Sequence, residues 1–132
     1  MKSTLFLLLT LLLLLSSCGV NVPPASNKTY EQIDQETAKE MMTTVPDIVI
    51  LDVREQAEYN EGHIPGAVLL SVSGITGHTA SAAIPQKDTV VLVYCRSGNR
   101  SKTASAKLVE LGYTQIYEFG GIITWPYEIT RE

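Results

Sequence analysis

Seven consecutive residues, Cys95-Arg96-Ser97-Gly98-Asn99-Arg100-Ser101, gather a thiol, two guanidiniums, two hydroxyls and a glycine. A thiol attacks, or carries a transferable atom, as its thiolate, so its surroundings must favour negative charge. The composition here does. From 89 to 109 the chain carries Arg96, Arg100, Lys102 and Lys107 and no acidic residue, a local charge of +4 in a chain of formal charge −4. Gly98 permits a positive φ or a close approach of backbone, and successive peptide N–H groups curled around one point form an anion cradle. Taken alone, Cys95 reads as a small core hydrophobe ending a strand. The following "RSGNRS" argues against that, because arginines and hydroxyls make a poor core.

Such a thiol has to be held by the elements on either side of it. Residues 89–94 form a β-branched, apolar run that predicts a strand. Residues 101–111 predict a helix with Ala104, Leu108 and Leu111 on one face and Gly112 at the left-handed position beyond its end. Cys95 then lies in the turn between the carboxyl end of a strand and a helix N-terminus, where open α/β sheets place their ligands. Unpaired amides and about half a positive charge at that terminus favour an anion.

The remaining pattern supplies a sheet around this strand. Residues 48–53, "IVILDV", have the composition of a strand covered on both faces. A short strand is expected at 30–33, with Asp34 capping a helix that turns Ala38, Met41 and Met42 to one side. Residues 54–60 predict a short helix with Ala57 inward, ended by Gly62. A second apolar run spans 68–72, one short helix is expected within 73–88, a strand at 115–118, and a last helical turn around Trp125. Strands and helices alternating at this spacing predict an α/β domain, its mainly parallel sheet covered by helices on both faces.

The amino-terminal segment reads as an address. Lys2 precedes a run from 5 to 15 that is apolar except for Thr10, too short for the roughly 20 residues that span a bilayer and suited to a signal peptide. Its end, Leu15-Ser16-Ser17-Cys18, resembles a bacterial lipoprotein signal. That resemblance implies cleavage after residue 17, a diacylglycerol thioether on Cys18 and a further acyl chain such as palmitate. Two or more chains anchor a protein stably, giving a cell-envelope protein that faces the periplasm or the outside. Residues 18–29 are then the lipidated cysteine and a polar, proline-bearing tether, and residues 30–132 the folded domain.

Without residues 1–17 the chain keeps 115 of its 132 residues, room for one domain, and losing Lys2 leaves 9 basic against 14 acidic side chains. That balance provides no general basic face for nucleic acid. With lipid on Cys18, Cys95 has no disulfide partner in a compartment where paired cysteines are usual, so a thiol reductase is an expected partner.

Three motifs in order, "LDVREQAEYNEGHIPGA" at 51–67, "VLVYCRSGNRS" at 91–101 and "GG" followed by Trp125, resemble a single-domain rhodanese of the thiosulfate sulfurtransferase type. The resemblance runs from 30 to about 127 and implies a rhodanese-like fold. It also implies a sulfur relay: Cys95 takes sulfane sulfur from thiosulfate or a related donor as a persulfide and passes it to cyanide or a thiol. The amides of Arg96, Ser97, Gly98, Asn99, Arg100 and Ser101 would hold the negative sulfur, with no cofactor. Arg100 is expected to close the loop by bonding carbonyls or a carboxylate, while Arg96 meets the incoming dianion.

Related phosphatases and arsenate reductases resemble C-x5-R, whereas four residues separate Cys95 from Arg100. The shorter loop suits one added sulfur about 2.05 Å from the first rather than a tetrahedral oxyanion. A non-catalytic rhodanese-like binding module is the other alternative, and such modules usually lack the cysteine.

Several polar residues carry structural expectations. Asp52 caps the turn before Arg54 or orients an arginine near the thiol, and the first is expected. Arg54 and Glu58 read as an i,i+4 surface pair. His63, within "GHIPGA", is expected to be structural rather than a base for Cys95, since a thiolate stabilised by amides needs none. His78 reads as solvated and Trp125 as core. Two distant histidines and one usable cysteine give no metal-ligand spacing.

Overall fold

The computed structural model describes residues 29–132. The leader, Cys18 and all but the last residue of the tether lie outside them. Five strands, β1 (Glu31–Gln32), β2 (Val49–Asp52), β3 (Val68–Leu69), β4 (Val91–Cys95) and β5 (Ile116–Gly121), form one sheet in the order β1-β5-β4-β2-β3. Every pairing is parallel. The helices are α1 (Gln35–Thr44), α2 (Gln56–Glu61), α3 (Gly77–Ala83) and α4 (Asn99–Glu110), with 3-10 turns at Val72–Gly74 and Ile122–Thr124. The sheet is therefore an α/β arrangement with β4 at its centre.

Alternation along β4 divides the core into two layers. Val91, Val93 and Cys95 face one side with Leu51 and Val53 of the β2 region, packed on Ala80 of α3 and Ala104 and Leu108 of α4. Leu92 and Tyr94 face the other with Ile50, Phe119 and Trp125, packed on Ala38, Met41 and Met42 of α1. Apolar residues on both faces of a strand are what a parallel sheet between helices requires. At α1 the Asp34 carboxylate accepts from the Thr37 amide at 2.7 Å, the expected cap.

Two expectations around α2 are corrected. Ala57 is exposed, and α2 buries no residue. A helix of six residues is too short to present an apolar stripe. It is held instead by Tyr59, which packs in the second core layer, donates its hydroxyl to the Ala67 carbonyl at 2.8 Å and stacks on His63 at 3.6 Å. Arg54 and Glu58 do not pair either. Arg54 precedes the helix, so the i,i+4 geometry does not apply; it is buried and turns back to Asp52.

The strand before the "GG" pair runs to Gly121, three residues past the expected end. Between the pairings Val93↔Glu118 and Cys95↔Gly121, β5 contains one more residue than β4. This is a bulge, with Gly120 at φ +90°. It brings Gly121 against the chain that leaves β4.

Candidate active site

The turn after β4 is built by local chemistry. Gly98 adopts φ +106°, a left-handed conformation open to glycine, and serves as N-cap of α4. The helix thus starts at Asn99, two residues before the expected position, and Arg100 and Ser101 fall in its first turn. This reversal points the loop at Cys95. The Gly98 amide donates to the Cys95 sulfur at 3.1 Å, and the thiol and the Ser101 hydroxyl are 3.4 Å apart.

Burial disfavours charge on the sulfur. The Ser101 hydroxyl and the amides of Ser101, Gly98 and Ser97 more than offset it, so the thiol's pKa lies below its ordinary value. Backbone and hydroxyl donors are the leading favourable causes, ahead of the cationic side chains that the sequence emphasised.

Arg100 reaches outward to the carboxylate of Glu58, at 2.7 and 2.8 Å, in a two-bonded fork. Glu58 is held down to about 2, first by this guanidinium and also by the Glu55 amide, against the opposing effect of burial. Arg100 therefore ties α4 to α2 by a carboxylate, one of its two expected forms of loop closure. The Arg96 side chain is exposed and has no hydrogen bond or ion pair among the described residues. Ser97 and Asn99 are exposed beside it, while Cys95 itself is only 1 % exposed.

Beneath the loop lies the turn after β5. The Ile123 amide donates to the Arg96 carbonyl at 3.2 Å. A Cβ at Gly121 would overlap that same carbonyl oxygen, so only glycine admits this approach. Glu118, 2 % exposed, accepts from the Ser101 hydroxyl at 2.6 Å, the Gly120 amide at 2.8 Å and Gln32 Nε2 at 3.2 Å. The sequence analysis singled out neither Glu118 nor Glu58 as a partner of the loop. An acidic residue within the apolar run "IYEFGG" was the available signal for the first.

The remaining residues sit in structural networks. Asp52 accepts from the Arg54 amide at 3.0 Å, the Arg54 guanidinium at 2.7 Å and the Tyr94 hydroxyl at 2.6 Å. It both caps its turn and holds a buried arginine. His63 Nδ1 is 2.9 Å from the Tyr59 carbonyl oxygen, and its backbone pairs with Thr130. His78 is exposed and Trp125 is in the core. No group of three or more His, Cys, Asp or Glu side chains able to hold a metal occurs among the described residues.

Comparison with known proteins identifies the family. The rhodanese-like domain family matches residues 34–125. The chain is 39 % identical over 97 residues to the thiosulfate sulfurtransferase GlpE of Coxiella burnetii, covering 73 % of this chain and 87 % of that protein. It is 38 % identical over 95 residues to a sulfurtransferase of Allochromatium vinosum, covering 71 % and 86 % respectively. Among solved structures, a rhodanese with anions from E. coli superposes with a TM-score of 0.60 at 28 % identity, covering 64 % of this chain and 99 % of that one. The chain belongs to the rhodanese-like domain family and is an enzyme of the rhodanese type.

Proposed function

We propose that this enzyme transfers sulfane sulfur through a persulfide on Cys95. The observation that carries the reading is the convergence of the Gly98 amide and Ser101 on one sulfur at the carboxyl end of the central strand. The Cys95 thiolate attacks the outer sulfur of thiosulfate. The S–S bond of the donor breaks, sulfite leaves with its electron pair, and the enzyme retains Cys95-S–S⁻. Cyanide or a thiolate then attacks that outer sulfur and regenerates the Cys95 thiolate. Donors oriented before reaction stabilise the negative sulfur throughout.

Cys95 and the Arg96–Ser101 loop are the site in this reading. Arg96, free and exposed at the rim, meets the dianion, while Arg100 holds the loop through Glu58. The four-residue spacing between Cys95 and Arg100 favours sulfur transfer over hydrolysis of a phosphate ester.

The intact mass before and after thiosulfate tests the reading. Wild type should gain one sulfur atom, lost to cyanide as thiocyanate, and Cys95→Ser should gain none. An unchanged wild-type mass, or phosphate release from an aryl phosphate at a comparable rate, refutes it. The sequence further supports a domain at 30–132 held to the cell envelope by lipid on Cys18 through the 18–29 tether. Cys18→Ala should then release the protein from membranes, and membrane retention of that variant would contradict the anchor.

A further inference from the structure

Ser101 carries one hydroxyl proton and has three oxygen acceptors and one sulfur around it. They are Glu118 Oε1 at 2.6 Å, the Gly98 carbonyl at 3.0 Å, the Gly120 carbonyl at 3.4 Å and the Cys95 sulfur at 3.4 Å. The shortest contact is to Glu118, and a carboxylate oxygen is a stronger acceptor than a peptide carbonyl. The proton therefore rests on the Glu118 side, and Ser101 turns lone pairs towards Cys95. That arrangement suits a thiol donating to Ser101. A thiolate or a persulfide needs the hydroxyl turned round, so the lowering that Ser101 gives the Cys95 thiol is won against Glu118.

The groups around Glu118 offer it neutral donors, the Gly120 amide at 2.8 Å among them, and, among the described residues, no cation. From β1, Gln32 donates its amide, and Glu31 beside it is exposed. From α1, Gln35 donates to the Gly121 carbonyl at 2.9 Å, while Glu36 is exposed and Lys39 lies over Tyr127. On α4, Arg100 is taken up by Glu58 and Lys102 is exposed. On β4 the titratable groups are Cys95 and Tyr94, and Tyr94 donates its hydroxyl to Asp52 on the other side of the sheet. No cation lies within ion-pair distance of the Glu118 carboxylate among the described residues.

We propose that Glu118 is a positioning residue that holds the single Ser101 proton away from Cys95, and so limits how readily the sulfur becomes and stays negative. A buried carboxylate and a thiolate compete for one hydroxyl and repel each other. This deepens the persulfide reading, on which its consequence for turnover rests. Its test requires no sulfur donor.

The test is the pH profile of Cys95 alkylation by iodoacetamide in wild type, Glu118→Gln, Glu118→Asp, Ser101→Ala and the Ser101→Ala/Glu118→Gln double variant. Glu118→Gln should move the midpoint down by about one pH unit, seen as about tenfold faster alkylation below the wild-type midpoint. Glu118→Asp keeps the charge but cannot reach Ser101, so it should move the midpoint down by less, and it serves if the glutamine variant does not fold. In the Ser101→Ala background the effect of Glu118→Gln should shrink. Midpoints that stay or rise in the single Glu118 variants, or a shift undiminished without Ser101, overturn the proposal. Failure of sulfur loading with these profiles as expected would refute the persulfide reading and leave the Glu118 assignment standing.

Discussion

The turns after β2 and β4 begin from adjacent parallel strands and end differently. After β2, Asp52, Arg54, Tyr94 and the Gly62 carbonyl satisfy one another, and Arg54 is only 5 % exposed. Burial works against the Arg54 charge, and Asp52 more than offsets it; burial and Asp52 together push the Tyr94 phenol up. After β4, the amides instead converge on one small sulfur, and the Arg100 guanidinium is anchored elsewhere, to Glu58. One position in the fold has been closed by side chains, and the other keeps backbone donors directed at a thiol. On the proposed reading, stability is concentrated in the first and reactivity in the second.

Asp52→Ala should have the largest effect on the fold. Removing one partner of a buried ion pair costs about 3–5 kcal/mol, and here the Tyr94 hydroxyl also loses its acceptor, keeping only the Ile64 amide that donates to it. Urea unfolding should report that loss, with the Cys95 alkylation midpoint unchanged in the protein that remains folded. A matching displacement of the midpoint would mean that the two turns are one unit.

Gly121→Ala should invert the pattern. Its Cβ displaces the Arg96 carbonyl, and an ångström of misplacement at a reacting centre costs about 100-fold in rate. Thiocyanate formation from thiosulfate and cyanide should fall by that order, with a smaller loss of stability than in Asp52→Ala. Normal turnover would show that the loop tolerates the shift.

Arg100→Ala should lower both properties modestly, by about 0.5–1 kcal/mol in stability, because its pair with Glu58 is partly exposed to solvent. The pH dependence has a definite sign. Glu58 is lowered from 4.5 to about 2 on folding, so its contribution is full above pH 4.5 and is lost as pH falls through 2. The variant's deficit should therefore be present at neutral pH and vanish near pH 2. A deficit independent of pH would locate the role of Arg100 outside this pair.

Arg96→Ala should be the mildest. Its stability should stay within about 0.5 kcal/mol of wild type, and KM for thiosulfate should rise with kcat little changed. A fall in kcat alone would place Arg96 in the chemical step instead.

Much of this was legible from local pattern. The apolar runs at 48–53 and 89–94 became the central strands, and Asp34 and Gly112 took the cap positions their types favour. Errors arose where a pairing required a third dimension. Arg54 and Glu58 have helical spacing, but a helix starting at Gln56 leaves Arg54 outside, where a buried carboxylate two residues back outcompetes a half-exposed one. Ala57 is apolar and correctly spaced, yet α2 is too short to rest on a stripe.

The order of residues by itself determined the strand–turn–helix unit around Cys95, because the amides, Gly98 and Ser101 that meet the sulfur lie within six residues of it. Only the tertiary structure decided that Glu58, 42 positions from Arg100, and Glu118, 17 positions from Ser101, complete the site, and that Gly121 supports it. Hydrogen bonds act over about 3 Å, whereas a pattern of hydrophobicity reports which face is buried and not what lies opposite. Those neighbours follow from the strand order and from one extra residue in β5.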